Sequence, residues 1–148
     1  MPLTLSIVTA QRTVLERGDV TKLVVPALEG QITLLPSHAA LMTALGTGEM
    51  IATSPSGVEA IAIHGGFLQI VHDQVSVLAD AAEHVAQIDL DRAEAARARA
   101  EARLTGRDPG VLQGGLDVLR AQSALQRSIT RINIVRRRLG TGVPSGQR

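Results

Sequence analysis

The sequence has no cysteine, no tryptophan and no tyrosine, and its only aromatic side chain is Phe67. Without cysteine there is neither a disulfide framework nor a thiolate metal site, and a reducing compartment fits without being required. With a single aromatic ring the core has to be aliphatic. A hydrophobic share of 45% in 148 residues is enough to fill one, either as a single domain or as a small domain with an appended element. No stretch approaches the roughly 18–20 apolar residues that cross a bilayer, and "MPLTLSIVTA" lacks the basic start and sustained apolar run of a signal peptide, so a soluble chain is expected. Catalytic groupings are missing as well. His38, His64, His72 and His84 stand far apart with no pair at i, i+3 or i+4, and neither a Gly-x-Ser-x-Gly elbow nor a distinctive carboxylate pair occurs. Neither an independent enzyme nor a metal centre is expected.

The net charge of +1 conceals a split. Residues 1–88 hold three basic residues (Arg12, Arg17, Lys22) against eight acids, a net of −5, and residues 89–148 hold twelve arginines against six acids, a net of +6. The two parts should attract each other, and each should attract different partners, because a local field steers association.

The acidic part alternates in the period of two that marks half-buried strands. In "LTLSIVT", Leu3, Leu5 and Ile7 share one face. Similar runs recur in "TVLER", "VTKLVVP", "GQITLLP", "GEMIATS", "VEAIAIH", "FLQIVH" and "QVSVLAD". The separating turns are expected at Arg17-Gly18-Asp19, Glu29-Gly30, Gly46-Thr47-Gly48, Ser54-Pro55-Ser56-Gly57, Gly65-Gly66 and His72-Asp73. Short strands at this spacing indicate an antiparallel sandwich or barrel. The paired glycines have neither fingerprint spacing nor a following helix, so they read as turn glycines and not as a phosphate loop.

From "QIDLDRAEAARARAEARL" onward the chain changes to alanine, leucine and arginine at helical spacing. Asp89 can cap a helix whose first turns carry Asp91 and Glu94 and whose inner stripe is Leu90, Ala93, Arg97, Ala100 and Leu104, with Gly106 at its stop. Asp108-Pro109 suits a second start, weakened by Gly114-Gly115. Val118, Leu125, Ile129, Ile132, Val135 and Leu139 then recur at helical intervals until Gly140. A helix from Leu116 to Leu139 runs roughly 36 Å. The pattern predicts a sandwich over 1–86, an antiparallel helical hairpin over 87–140 and a disordered tail over 141–148. Because the first helix's inward stripe is mostly alanine, its burial removes little apolar area, and the hairpin should open more easily than the sandwich unfolds.

Arg120, Arg127, Arg131 and Arg138, separated by 7, 4 and 7 residues, fall on one stripe of the second helix. They form either a strip that grips phosphate or carboxylate in two-point fashion or simply a solvated basic face. Arg136-Arg137-Arg138 reads as a C-terminal charge run that complements the helix dipole. A freestanding nucleic-acid-binding or scaffold protein using a basic hairpin is the alternative, and the lack of stacking aromatics and the near-neutral total charge count against it.

Three stretches carry a resemblance to a known family, the epsilon subunits of F-type ATP synthases. "EGQITLLPSHAAL" (29–41) resembles the family's Glu-Gly-x-x-Gly-Ile-x-Pro-x-His-x-Pro-Leu segment, with Thr33 and Ala40 where Gly and Pro are usual. "HGGFLQIVHDQVSVLADAAE" (64–83) resembles its Gly-Gly-hydrophobic-Leu strand and the strand after it, and "IDLDRA" (88–93) its Ile/Leu-Asp-x-x-Arg-Ala motif. The order and spacing of the three together are highly specific.

The resemblance implies a noncatalytic rotor subunit, peripheral on the cytoplasmic face of a bacterial cell membrane. Its β-sandwich would contact the gamma subunit and the c-ring, with Gln31 and His38 in the ring-facing loop, although both also read as ordinary exposed turn residues. Its helical hairpin would swing between compact and extended states, reach the alpha/beta catalytic subunits when extended and inhibit ATP hydrolysis there. No cofactor is required. Some bacterial members bind ATP in the folded hairpin, and the resemblance points to Glu83, Ile88, Asp89, Arg92, Ala93 and Arg99, with Arg127 and Arg131 of the second helix, as the ATP contacts. Two of them have a structural alternative: Asp89 as a helix cap, Arg92 as the partner of a nearby acid.

Overall fold

The computed structural model of the chain describes residues 1–106 and 115–138, the second segment with side chains from Val118 onward. Asp108-Pro109, Gly114, Leu139, Gly140 and the 141–148 tail lie outside the described residues.

Eight strands precede two helices. The strands are β1 (Leu3–Val8), β2 (Thr13–Val20), β3 (Lys22–Ala27), β4 (Gly30–Leu34), β5 (Leu41–Ser54), β6 (Gly57–Val71), β7 (Gln74–Ala79) and β8 (Ala82–His84). They hydrogen-bond in the order β2-β1-β7-β6-β5-β3-β4, with β8 continuing along β6 past the end of β7. This sheet folds over itself as a β-sandwich. Leu3, Leu5 and Ile7 are all buried, as their alternation implies, in an aliphatic core with Leu23, Met50, Ile61, Ile63, Leu68 and Ile70.

Three expected turns are absent. β2 continues through Gly18 with a shift of register there, β5 through Gly46-Thr47-Gly48 and β6 through Gly65-Gly66, making β5 and β6 strands of 14 and 15 residues. They pair in one unbroken register from Leu41↔Ile70 to Ser54↔Gly57. Gly48 and Gly66 serve close approach instead, whereas Gly18 has open space around it. A Cβ on Gly48 would sit 2.7 Å from Pro26 Cβ, and Gly66, at φ +125°, faces the Leu78 carbonyl and the Ala79 Cα at distances that leave no room for a side chain. The sheet is also not wholly antiparallel, because β1 runs parallel to β7 with Leu5 opposite Val75. The expected reversals at Glu29-Gly30, Ser54–Gly57 and His72-Asp73 are present.

After β8 a one-turn 3₁₀ helix (Val85–Gln87) leads to α1 (Leu90–Leu104), and α2 spans Gly115–Arg138. Asp89 caps α1, its Oδ1 accepting from Arg92 N at 3.2 Å. Of the inner stripe of α1, Ala93 and Ala100 are buried and Leu90, Arg97 and Leu104 half-buried. α1 packs against α2, which lies against β5 and β6. On β6, odd residues Ile61 and Ile63 point into the sandwich, and even residues Ala60 and Ala62 meet Ile134 and Val135 of α2, with Val85 completing a small second core. Alanine at those positions lets the helix approach but gives it little apolar area to bury.

Candidate functional site

α2 reaches the sandwich through two carboxylates and α1 through a third, and the arginines identify where. Glu83 on β8 receives Arg131, with Nε at 2.7 Å and a terminal nitrogen at 2.5 Å from the same Oε1. Glu49 on β5 receives two: Arg137 at 2.5 Å on Oε2 and Arg138 Nε at 3.0 Å on Oε1, the Arg138 and Glu49 side chains being only 8% and 9% exposed. Arg136 pairs with Glu94 of α1 at 2.9 Å on an exposed surface. The run Arg136-Arg137-Arg138, read from sequence as a dipole complement, is therefore a clasp. The stripe of four divides: Arg131 and Arg138 hold sandwich carboxylates, Arg127 is half-buried and Arg120 exposed.

Beside the Glu83–Arg131 pair opens a cleft of about 520 Å³ between β8, the 3₁₀ turn and the two helices. Six of the eight residues implied as nucleotide contacts line it: Glu83, Asp89, Arg92, Ala93, Arg99 and Arg131, together with Gln87, Ala95 and Ala96. Ile88 and Arg127 do not. Ile88 packs against the second core, where it supports the turn that presents Asp89, and Arg127 stands one helical turn before Arg131. Arg92 and Arg99 are exposed.

The electrostatics of the cleft centre on Glu83. The His64 imidazole, whose Nε2 lies 3.6 Å from Oε1, and the Arg131 guanidinium hold the carboxyl down to about 2 from an ordinary 4.5, against the opposing effect of burial. Both acids of the cleft are engaged, Glu83 by Arg131 and Asp89 through one oxygen by the helix it caps. Arg92 and Arg99 therefore leave an excess of positive charge facing the opening.

Gln31 and His38 do not share a loop. Gln31 is exposed on β4 beside the β3–β4 turn, and His38 follows the other end of that strand. The His38 Nδ1 lies 2.7 Å from Ala39 O. Its loop is tied to the β6–β7 turn by Ser37 N donating to Asp73 Oδ1 at 2.6 Å. The run "GQITLLP", read as a strand from its alternation, is β4, and it separates the two residues that the resemblance had put in one loop.

Sequence reasoning also missed Glu49 and His64. Each is one polar residue among several in a long strand, and only the arrival of α2 makes it more than that.

Two family models divide the chain between them. Residues 2–85 match the beta-sandwich domain of the ATP synthase delta/epsilon chain, and residues 86–136 match its long alpha-helix domain. The chain belongs to the ATP synthase delta/epsilon family. It is 42% identical over 130 residues to the ATP synthase epsilon chain of Desulfitobacterium hafniense, covering 84% of this chain and 94% of that one. It is 40% identical over 131 residues to the epsilon chain of Moorella thermoacetica, covering 88% and 93%. Among solved structures, a chain in the Euglena gracilis mitochondrial ATP synthase (OSCP/F1/c-ring) superposes with a TM-score of 0.73 at 18% identity, over 87% of this chain and 78% of that one. A chain of the Tetrahymena thermophila central stalk and c-ring gives 0.61 at 11%, over 91% and 97%. As an epsilon-family member the chain is a noncatalytic subunit of the rotary complex, which accounts for the lack of a catalytic grouping in its sequence.

Proposed function

We propose that this epsilon-family chain works in the central stalk of a bacterial proton-translocating F-type ATP synthase, peripheral on the cytoplasmic face of the cell membrane, where it couples c-ring rotation to ATP synthesis. In this reading its sandwich docks on the gamma subunit and the c-ring. Its arm regulates ATP hydrolysis by leaving the sandwich for the alpha/beta catalytic subunits. ATP acts as a regulatory ligand that holds the arm down, and no resident cofactor is needed.

The observation that carries the regulatory part is the gathering of six expected ATP contacts, from β8 and both helices, on one cleft at the arm–sandwich junction. A ligand bound there touches both parts at once and so favours the docked arrangement by its differential affinity. Arg92 and Arg99 supply guanidinium forks for phosphate oxygens. The second oxygen of Asp89, left over from capping α1, can accept from an adenine amino group. For the rotor part, support comes from the family and from an outward row of apolar side chains. Leu78 and Phe67 sit side by side on β7 and β6, 64% and 60% exposed, with exposed Met42 two residues along β5 from the partner of Phe67 and Leu28 of the β3–β4 turn lining a shallow cleft with it. Such a row on a small domain suits a protein partner.

Isothermal titration of the full chain with ATP tests the nucleotide reading. Arg92→Ala and Arg99→Ala remove charges that make no docking contact, so both should weaken binding at least tenfold and leave the fold unchanged. Identical heats in all three chains would remove ATP from the account. The rotor reading is tested separately by co-purification with the gamma subunit and c-ring, and a chain that never associates with gamma defeats it.

A further inference from the structure

Gln87 lines the cleft together with Asp89 and is not among the expected ATP contacts. It ends the one-turn 3₁₀ helix, whose backbone is fastened on both sides: Ala86 N donates to His84 Nδ1 at 3.2 Å, and Ile88 N donates to Val85 O at 3.2 Å. The Gln87 side chain is exposed and meets Arg12, a residue far away in sequence, whose terminal nitrogen donates to Gln87 Oε1 at 3.2 Å. Arg12 itself comes from a β1–β2 turn that is stapled by its own hydrogen bonds. Thr9 N donates to Arg12 O at 2.9 Å, and the Thr9 hydroxyl oxygen accepts from Arg12 N at 3.3 Å.

A guanidinium carries donors only, so the atom of Gln87 that faces it has to be the carbonyl oxygen. The amide is thereby held one way round, and its amino group, a donor, is what remains for a ligand in the cleft. Asp89, two residues on, has the opposite character: Oδ1 accepts from Arg92 N as the helix cap, and the other oxygen remains an acceptor. This end of the cleft therefore offers a donor and an acceptor from neighbouring positions. Adenine carries the complementary pair, a C6 amino group next to a ring nitrogen that accepts, N1 on one edge and N7 on the other. Arg99 stands about 15 Å further along α1 at 1.5 Å per residue, which leaves the phosphates to the basic end. We propose that Gln87, oriented by Arg12, reads the base by donating to adenine N1 or N7 while Asp89 accepts from the amino group beside it. The inference rests on the ATP reading above and adds to it a residue that senses the ring and not the phosphates. Arg12 is a positioning residue, since without it the amide is free to turn either end toward the ligand.

Calorimetric titration of the full chain with base-modified nucleotides tests it. 1-deaza-ATP and 7-deaza-ATP each replace one of the two candidate nitrogens by C–H, and one of them should bind about five- to tenfold more weakly than ATP, the loss expected for one hydrogen bond. 3-deaza-ATP, whose missing nitrogen is not beside the amino group, should bind as ATP does. In Gln87→Ala, ATP should weaken by the same factor and the discriminated analogue should become indistinguishable from it. Arg12→Ala should lose most of the discrimination, and Arg12→Lys, which still donates to the amide oxygen, should retain it. Both side chains are exposed, so these variants keep the fold. If ATP binds the wild type but neither 1-deaza-ATP nor 7-deaza-ATP is discriminated, or if the discrimination survives in Gln87→Ala, the role of Gln87 is overturned while the ATP reading stands. A wild-type chain that takes up no ATP at all removes both.

Discussion

Glu83 is a half-buried carboxylate between the Arg131 guanidinium and the His64 imidazole, and that is where single-residue chemistry controls the molecule. Its ionised form is favoured in the folded state, so its contribution is complete above about pH 4.5 and is lost as pH falls through about 2. Denaturant unfolding of wild type and Glu83→Gln should therefore differ most near pH 6, by roughly 2 kcal/mol, and converge by pH 2. A constant gap would mean that the loss comes from packing and not from charge. Glu49 differs, because it holds two guanidiniums and is almost sealed. Glu49→Ala leaves Arg138 buried without its carboxylate, and the arm should lose about 3 kcal/mol of docking free energy. Limited proteolysis checks this: cleavage should appear in α2 while the sandwich stays intact.

At the scale of elements, the two long strands and the long helix decide the shape, and they were unequally legible. The alternation in β1, the Ser54–Gly57 reversal and the Asp89 cap are local signals, and each is in the structure where the sequence implies it; of the apolar stripe expected on α2, Ile132 and Val135 are buried and Val118, Leu125 and Ile129 half-buried. The Gly-rich sites in β5 and β6 were misread because a glycine that ends a strand and one that lets another strand approach look alike in a single chain. The parallel β1–β7 pairing joins residues about seventy apart, and no turn residue announces it. Gly66 carries a direct test. At φ +125° and against Leu78 and Ala79 backbone, Gly66→Ala combines backbone strain with a clash that no flexible side chain can relieve, and it should destabilise the sandwich by about 3 kcal/mol or more in urea titration. A loss below about 1 kcal/mol would show that β6 can shift there. Ala62 tests the opposite face. Ala62→Leu overfills the space under Ile134 and Val135 without touching the main core, so it should raise hydrogen exchange in α2 and leave that of β7 unchanged.

For the whole molecule, the opposed charges of the two parts set how reversible their contact can be. Attraction between them does not require a large apolar interface, and the one present is small, built on Ala60, Ala62 and Val85 from the sandwich side. The carboxylates that hold the arm are few and discrete, so another acidic surface can compete for the same arginines, as the proposed contact with the catalytic subunits requires. The main core, by contrast, runs from Leu3 to Ala82 and includes no residue of α1 or α2. Deleting residues 89–148 should therefore leave a sandwich that unfolds cooperatively, with the full-length β signal in circular dichroism and a midpoint lowered by only a few degrees. In the assembled complex the same deletion should raise ATP hydrolysis and leave association with the gamma subunit intact, because the apolar row at Phe67 and Leu78 stays in place. If the truncated chain instead fails to fold, the arm is part of the sandwich's own stability and cannot be a detachable regulator. If it folds and joins the complex but hydrolysis is unchanged, the arm detaches without inhibiting, and its role in regulation falls.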